Sequence, residues 1–192
     1  MPEGHSVHRI ARQFARHFEG VPVAISSPQG RFAADADLLD GHAIVQAKAV
    51  GKQMFLEFDH GLWLRVHLGL YGAWDFAGGI SVGGDGEASL SSIGAPRLTR
   101  LRMSEQETVR QAQGPEANTF PPEPIGQVRV RLLTPNAVAD LRGPTACAVE
   151  TADQVQATID KLGPDPLVDD LSVGEERFVA TVRKSRPRSP CC

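Results

Sequence analysis

Apolar side chains recur at Val7, Ile10, Ala11, Phe14 and Phe18, a spacing of three and four that gives a helix one buried stripe. The pattern predicts a helix over 6–18, with Ser6 as N-cap and Gly20 as stop. Residues 2–5 then stand at its entrance. Downstream the period shortens. Val21–Ser26, Ala43–Ala49, Gln53–Phe58, Leu62–Leu68, Gln127–Leu133 and Ala137–Leu141 read as strands. Asp59-His60-Gly61 forms the turn between two of them. In the fifth, Val128, Val130 and Leu132 alternate with Gln127, Arg129 and Arg131, which predicts one buried and one wet face. Many short strands with turn signals predict a mainly β architecture: an N-terminal β-sandwich domain over 1–161, with flanking helices.

Residues 77–124 break the pattern. They are Gly/Ser-rich, then charged, and close on Phe120-Pro121-Pro122-Glu123-Pro124. This predicts a long mobile insertion between strands, with a short helix over Ser104–Gln113. Asp153–Leu162 reads as a helix, and Leu162–Leu167 as a stiff linker and domain boundary. Gly174–Lys184 reads as a further helix.

Composition adds three constraints. Of 192 residues, 41% are hydrophobic, enough for a folded core. The net charge of -3 does not announce a nucleic-acid binder, although 183–188 is a basic run. Cys147, Cys191 and Cys192 make neither a disulfide framework nor a C-x-x-C zinc site. With no signal-peptide core and no apolar span, the expectation is a cytoplasmic protein that avoids membranes.

Four short motifs could carry chemistry, each beside a plainer reading. Loss of Met1 would bare the secondary amine of Pro2. At a reference pKa of about 8 it is partly neutral near pH 7 and could attack a sugar carbon to form an iminium. Glu3 beside it could move the proton. Equally, Met-Pro-Glu could merely begin a chain. Lys52 follows Gly51 into a strand, where it could hold a phosphate or simply close a hairpin. His67-Leu68-Gly69-Leu70-Tyr71-Gly72 ends a strand in a Gly-bracketed loop. Leu70 and Tyr71 could wedge into a base stack or pack into the core. In Asp140-Leu141-Arg142-Gly143-Pro144-Thr145, Arg142 could touch phosphate or base, or pair with Asp140 to steady a turn.

In order and separation these motifs, together with Ser27–Phe32 and Leu162–Leu167, resemble the formamidopyrimidine-DNA glycosylase/endonuclease VIII family, in its actinobacterial Met-Pro-Glu-Gly-His branch. The resemblance covers 1–186 apart from the insertion. It implies a bifunctional DNA glycosylase and AP lyase of base-excision repair, acting as a monomer on damaged double-stranded DNA at the bacterial nucleoid. It assigns Pro2 the attack on C1′ and the Schiff base that leads to β,δ-elimination, and Glu3 protonation of the sugar ring oxygen. Lys52 and His67 would contact DNA, Leu70 and Tyr71 would fill the vacated stack, and Arg142 would join them, although the family's arginine loop is usually longer.

The resemblance also implies a second, helix-two-turn-helix domain, of which 168–186 would be the first part. Its Asn phosphate loop and four-cysteine zinc finger are not in this sequence, so no cofactor or metal is expected in the chain. Residues 187–192 are expected to be a frameshifted tail. Dropping one base from a GC-rich coding sequence for Ala-Gln-Val-Ala-Val-Leu-Leu-Met yields Pro-Arg-Ser-Pro-Cys-Cys-stop, as they read here. Two other outcomes are a catalytically impaired remnant with weak DNA binding, and an unrelated β-sandwich interaction module.

Overall fold

The structure, a computed structural model, describes residues 4–80, 92–93 and 120–162. Expectations for Pro2, Glu3, most of the 77–124 insertion, the linker after Leu162 and everything in 168–192 lie outside the described residues.

The predicted first helix is α1, Gly4–His17, and it buries Val7, Ile10, Ala11 and Phe14 as the spacing requires. Ser6 is not its N-cap, because the helix already includes Gly4. Phe14 stacks edge-on against Trp74 at 4.9 Å and lies 5.5 Å from Phe76. The nine strands among the described residues form two antiparallel sheets that share one apolar core with α1.

The first sheet is ordered β2 (Ile44–Val50), β3 (Gln53–Phe58), β4 (Leu62–His67), β9 (Ala146–Thr151). The second is β1 (Ala24–Ser26), β7 (Val128–Leu133), β8 (Ala137–Arg142), β5 (Ala73–Gly78), β6 (Ser92–Ile93). Strand alternation in the sequence therefore yields the sandwich with flanking helices that it predicts. β5 runs two residues into the segment expected to be an insertion, and β6 pairs with it. The helix α2, Ala33–Leu39, carries no sequence prediction; it buries Ala36 and Leu39.

Strands β3 and β7 show how packing overrides simple alternation. In β3, Met54, Phe55 and Leu56 are all buried. The last helix among the described residues, α3 (Ala152–Lys161), covers the outer face of this sheet, so Phe55, Trp63 and Val155 form a second small core. Thr151 and Gln154 cap α3 reciprocally. In β7, Arg131 was expected on the wet face but is only 9% exposed. It forms a two-pronged ion pair with its cross-strand partner Asp140, both N–O distances being 2.7 Å. Burial also pushes the Cys147 thiol up to about 12, so it is protonated and unreactive at neutral pH. Among the described residues no helix is long and apolar enough to cross a membrane.

Candidate functional site

The topology gathers the motifs at one end of the sandwich. The tight turn Gly51–Lys52 joins β2 to β3. His67 ends β4 and pairs with Gln53, the first residue of β3. From there 68–72 crosses to β5 in the other sheet, and 143–145 crosses back from β8 to β9. The two crossings touch: the Thr145 amide donates to the His67 carbonyl at 2.9 Å. Gly69, at φ 65°, lies so close to the Thr145 side chain that no Cβ fits there. The first residue of α1 belongs to the same end, since a Cβ on Gly4 would stand 3.3 Å from the Gly51 carbonyl oxygen.

Within this end, Lys52 is exposed. His67 is partly buried, and its pKa is lowered, first by desolvation and then by the charges of Arg65 and Lys52. All three causes disfavour the imidazolium, so the ring stays neutral to a lower pH than an ordinary histidine does. A phosphate arriving here meets one full cation at Lys52 and a neutral hydrogen-bonding ring. An NMR titration of His67 should therefore show a midpoint below 6.5. Lys52→Ala should raise that midpoint, because it removes one of the opposing charges. An unchanged midpoint would place the lysine away from the ring.

Leu70 and Tyr71 are 45% and 68% exposed, so the core-packing alternative does not apply to them. Their backbone is nonetheless held. Leu68 is buried beneath the loop and accepts the Gly72 amide at 3.0 Å. Two large apolar side chains thus project into solvent from a fixed turn.

Arg142 does not pair with Asp140, as the turn reading expected. It ion-pairs with Asp75 of β5, while Asp140 takes Arg131. Arg142 and Tyr71 line a cleft of about 340 Å³ together with Arg31 and Arg129. No sequence motif singles out Arg31, and the alternation of β7 marks Arg129 only as a solvent-face position. The Arg129 Nε is buried with no hydrogen-bond partner among the described residues. Arg31 and Arg129 therefore line this cleft beside Arg142, whose charge Asp75 offsets, in a chain of net charge -3. That is a local anion-attracting surface which the overall charge conceals. Pro2 and Glu3 lie outside the described residues.

Residues 1–113 match the formamidopyrimidine-DNA glycosylase N-terminal domain. Over 172 residues the chain is 38% identical to proteins named Endonuclease 8 1 from Mycobacterium bovis and Mycobacterium tuberculosis. It spans about half the length of these curated relatives: the match covers 90% of this chain and 51% of theirs. The fold is similar to that of Lactococcus lactis Fpg in complex with a Fapy-dG-containing DNA, at a TM-score of 0.62 and 16% identity, covering 95% of this chain and 56% of that one. A second Lactococcus lactis structure, non-covalently bound to an AP-site-containing DNA, gives a TM-score of 0.62 at 16% identity over 95% and 58% of the two chains.

Proposed function

Since the chain belongs to the formamidopyrimidine-DNA glycosylase family, we propose that it is the catalytic half of a base-excision DNA glycosylase with AP lyase activity, using the N-terminal amine of Pro2 as nucleophile. One observation carries the reading. The entrance of α1, the Lys52 turn, His67 and the exposed Leu70–Tyr71 loop converge at one end of the sandwich. Two residues of chain reach about 7 Å. Pro2 is thus tethered within that distance of Gly4, which itself abuts the Lys52 turn.

In this reading damaged double-stranded DNA lies across that end. Lys52 and His67 hold phosphate beside the lesion. Leu70 and Tyr71 fill the space left by the flipped nucleotide, with Arg142 and its cleft towards the opposite strand. Pro2 nitrogen attacks C1′ and the base leaves, while Glu3 protonates the ring oxygen so that the sugar opens to an iminium. Loss of the C2′ proton then expels the 3′ phosphate, and a second elimination expels the 5′ phosphate. No redox partner is needed. The reading places a monomer at the bacterial nucleoid, with oxidised bases as the lesion class.

Incubation with abasic-site duplex and borohydride tests it. A covalent adduct of one chain per strand, seen by intact mass, supports the enzyme. Its absence at high protein concentration would leave a domain that binds DNA without chemistry.

Leu70→Ala and Tyr71→Ala test the wedge separately. Base–aromatic stacking is worth about 1–3 kcal/mol. Tyr71→Ala should therefore lose roughly fivefold to a hundredfold in affinity for abasic over undamaged duplex, and Leu70→Ala, which removes no ring, should lose less. Both positions are exposed, so thermal stability should hardly change. Equal loss on both duplexes would sink the wedge role.

A further inference from the structure

A second cluster of chemistry-bearing side chains sits at the other end of the β2-β3-β4-β9 sheet, remote from Lys52 and His67. Asp59 and His60 belong to the β3–β4 turn, and His42 to the connection between α2 and β2. The His42 Nδ1 is 2.7 Å from the Asp59 Oδ1, and the His60 Nδ1 is 3.5 Å from the same oxygen. The two imidazoles are stacked, with centroids 3.7 Å apart at an interplanar angle of 25°, and the Nδ1 of each stands beside the same carboxylate oxygen. Ligand atoms of all three residues lie within 4.8 Å of one another.

The backbone fixes this arrangement. Ala43 donates its amide to the Asp59 Oδ2 at 3.2 Å and accepts the Asp59 amide at 3.0 Å. The carboxylate is therefore oriented by its spare oxygen while Oδ1 stays with the histidines. That is the outer hydrogen bond which aims a ligating carboxylate.

We propose that His42, Asp59 and His60 bind a first-row divalent transition ion such as Zn²⁺. Imidazole nitrogen and carboxylate oxygen are its ordinary ligands, at about 2.0–2.2 Å. In a tetrahedral site such ligands stand about 3.4 Å apart. The His60–Asp59 separation, 3.5 Å, is close to that value; as the ion replaces the hydrogen bond, the His42–Asp59 contact lengthens and the two rings swing out of their stack so that both Nδ1 lone pairs converge on it. On binding, the Nδ1 proton of His42 that bonds the carboxylate gives way to the ion; each neutral imidazole then carries its proton on Nε2 and offers the Nδ1 lone pair, and water takes the fourth position. The side chains are 40%, 47% and 24% exposed for His42, Asp59 and His60, so ions reach the site from solvent. The bound ion clips the α2–β2 connection to the β3–β4 turn. It plays no part in the chemistry proposed at the other end.

Tag-free, metal-free chain titrated with Co²⁺ and Zn²⁺ tests the site. One equivalent of Co²⁺ should give visible bands of a nitrogen–oxygen ligand set without sulfur charge transfer, and Zn²⁺ should raise Tm. His60→Gln should weaken binding at least about tenfold, and His42→Gln/His60→Gln should abolish it while leaving the metal-free Tm close to wild type. The Cys191→Ser/Cys192→Ser chain should bind as wild type does. Binding that survives the double histidine change, sulfur bands lost with the cysteines, or no uptake by the wild-type chain would each overturn the proposal.

Discussion

Replacing Pro2 with glutamine is expected to lower the rate of borohydride-trapped adduct formation on abasic DNA by a factor on the order of 10³ or more, the scale seen when a nucleophile is removed outright. The bulky second residue keeps Met1 in place, so the reacting nitrogen becomes an amide without a usable lone pair. Intact mass confirms that state directly. Pro2→Gly makes the complementary test. Methionine removal still occurs before glycine and leaves a primary amine at the same place. A secondary amine condenses to an iminium that has no N–H to lose, so it stays cationic and acts as an electron sink for elimination. A primary amine gives an imine that must be protonated first. Residual trapping with slower strand cleavage is therefore expected for Pro2→Gly, and almost none for Pro2→Gln. Equal trapping by Pro2→Gln and wild type would shift the nucleophile to another residue, with Lys52 the first to examine.

The sandwich was legible because its strands carry period-two patterns and its first helix a clean stripe from Val7 to Phe18. What escaped was set by contacts between distant segments. α2 is seven residues long and buries only Ala36 and Leu39, too few positions to establish a period. β9 has no fully buried residue and takes its strand form from pairing with β4. The exposed Leu70 and Tyr71 were recognisable as residue types, but their exposure depends on Leu68 filling the core beneath them. Partnership was harder still. Asp140 and Arg142 stand two residues apart on one face of β8, yet each finds its counter-charge on a different adjacent strand: Arg131 on β7 and Asp75 on β5. The arginine cleft and the His42–Asp59–His60 cluster likewise join segments well apart in the chain.

Asp140→Ala is expected to destabilise the fold by about 3–5 kcal/mol, because it strands a buried charge. Arg131 and Asp140 are each 9% exposed and bonded through two 2.7 Å contacts. Arginine cannot shed its proton to escape burial. The loss is a large fraction of the roughly 5–15 kcal/mol that holds a typical domain together. Arg131→Leu/Asp140→Leu should recover most of it, since an apolar pair of similar volume needs no solvation. The urea midpoint reads both effects, and a shift for Asp140→Ala worth less than about 0.5 kcal/mol would mean that water reaches the guanidinium. The pair lies behind the candidate site, because β8 delivers Arg142 to the cleft and leads into the 143–145 crossing that props the Leu70–Tyr71 loop. Adduct formation by Asp140→Ala should therefore fall with the folded fraction and return in the double leucine variant. Loss of activity in that variant despite restored stability would give the ion pair itself a part in aligning the site.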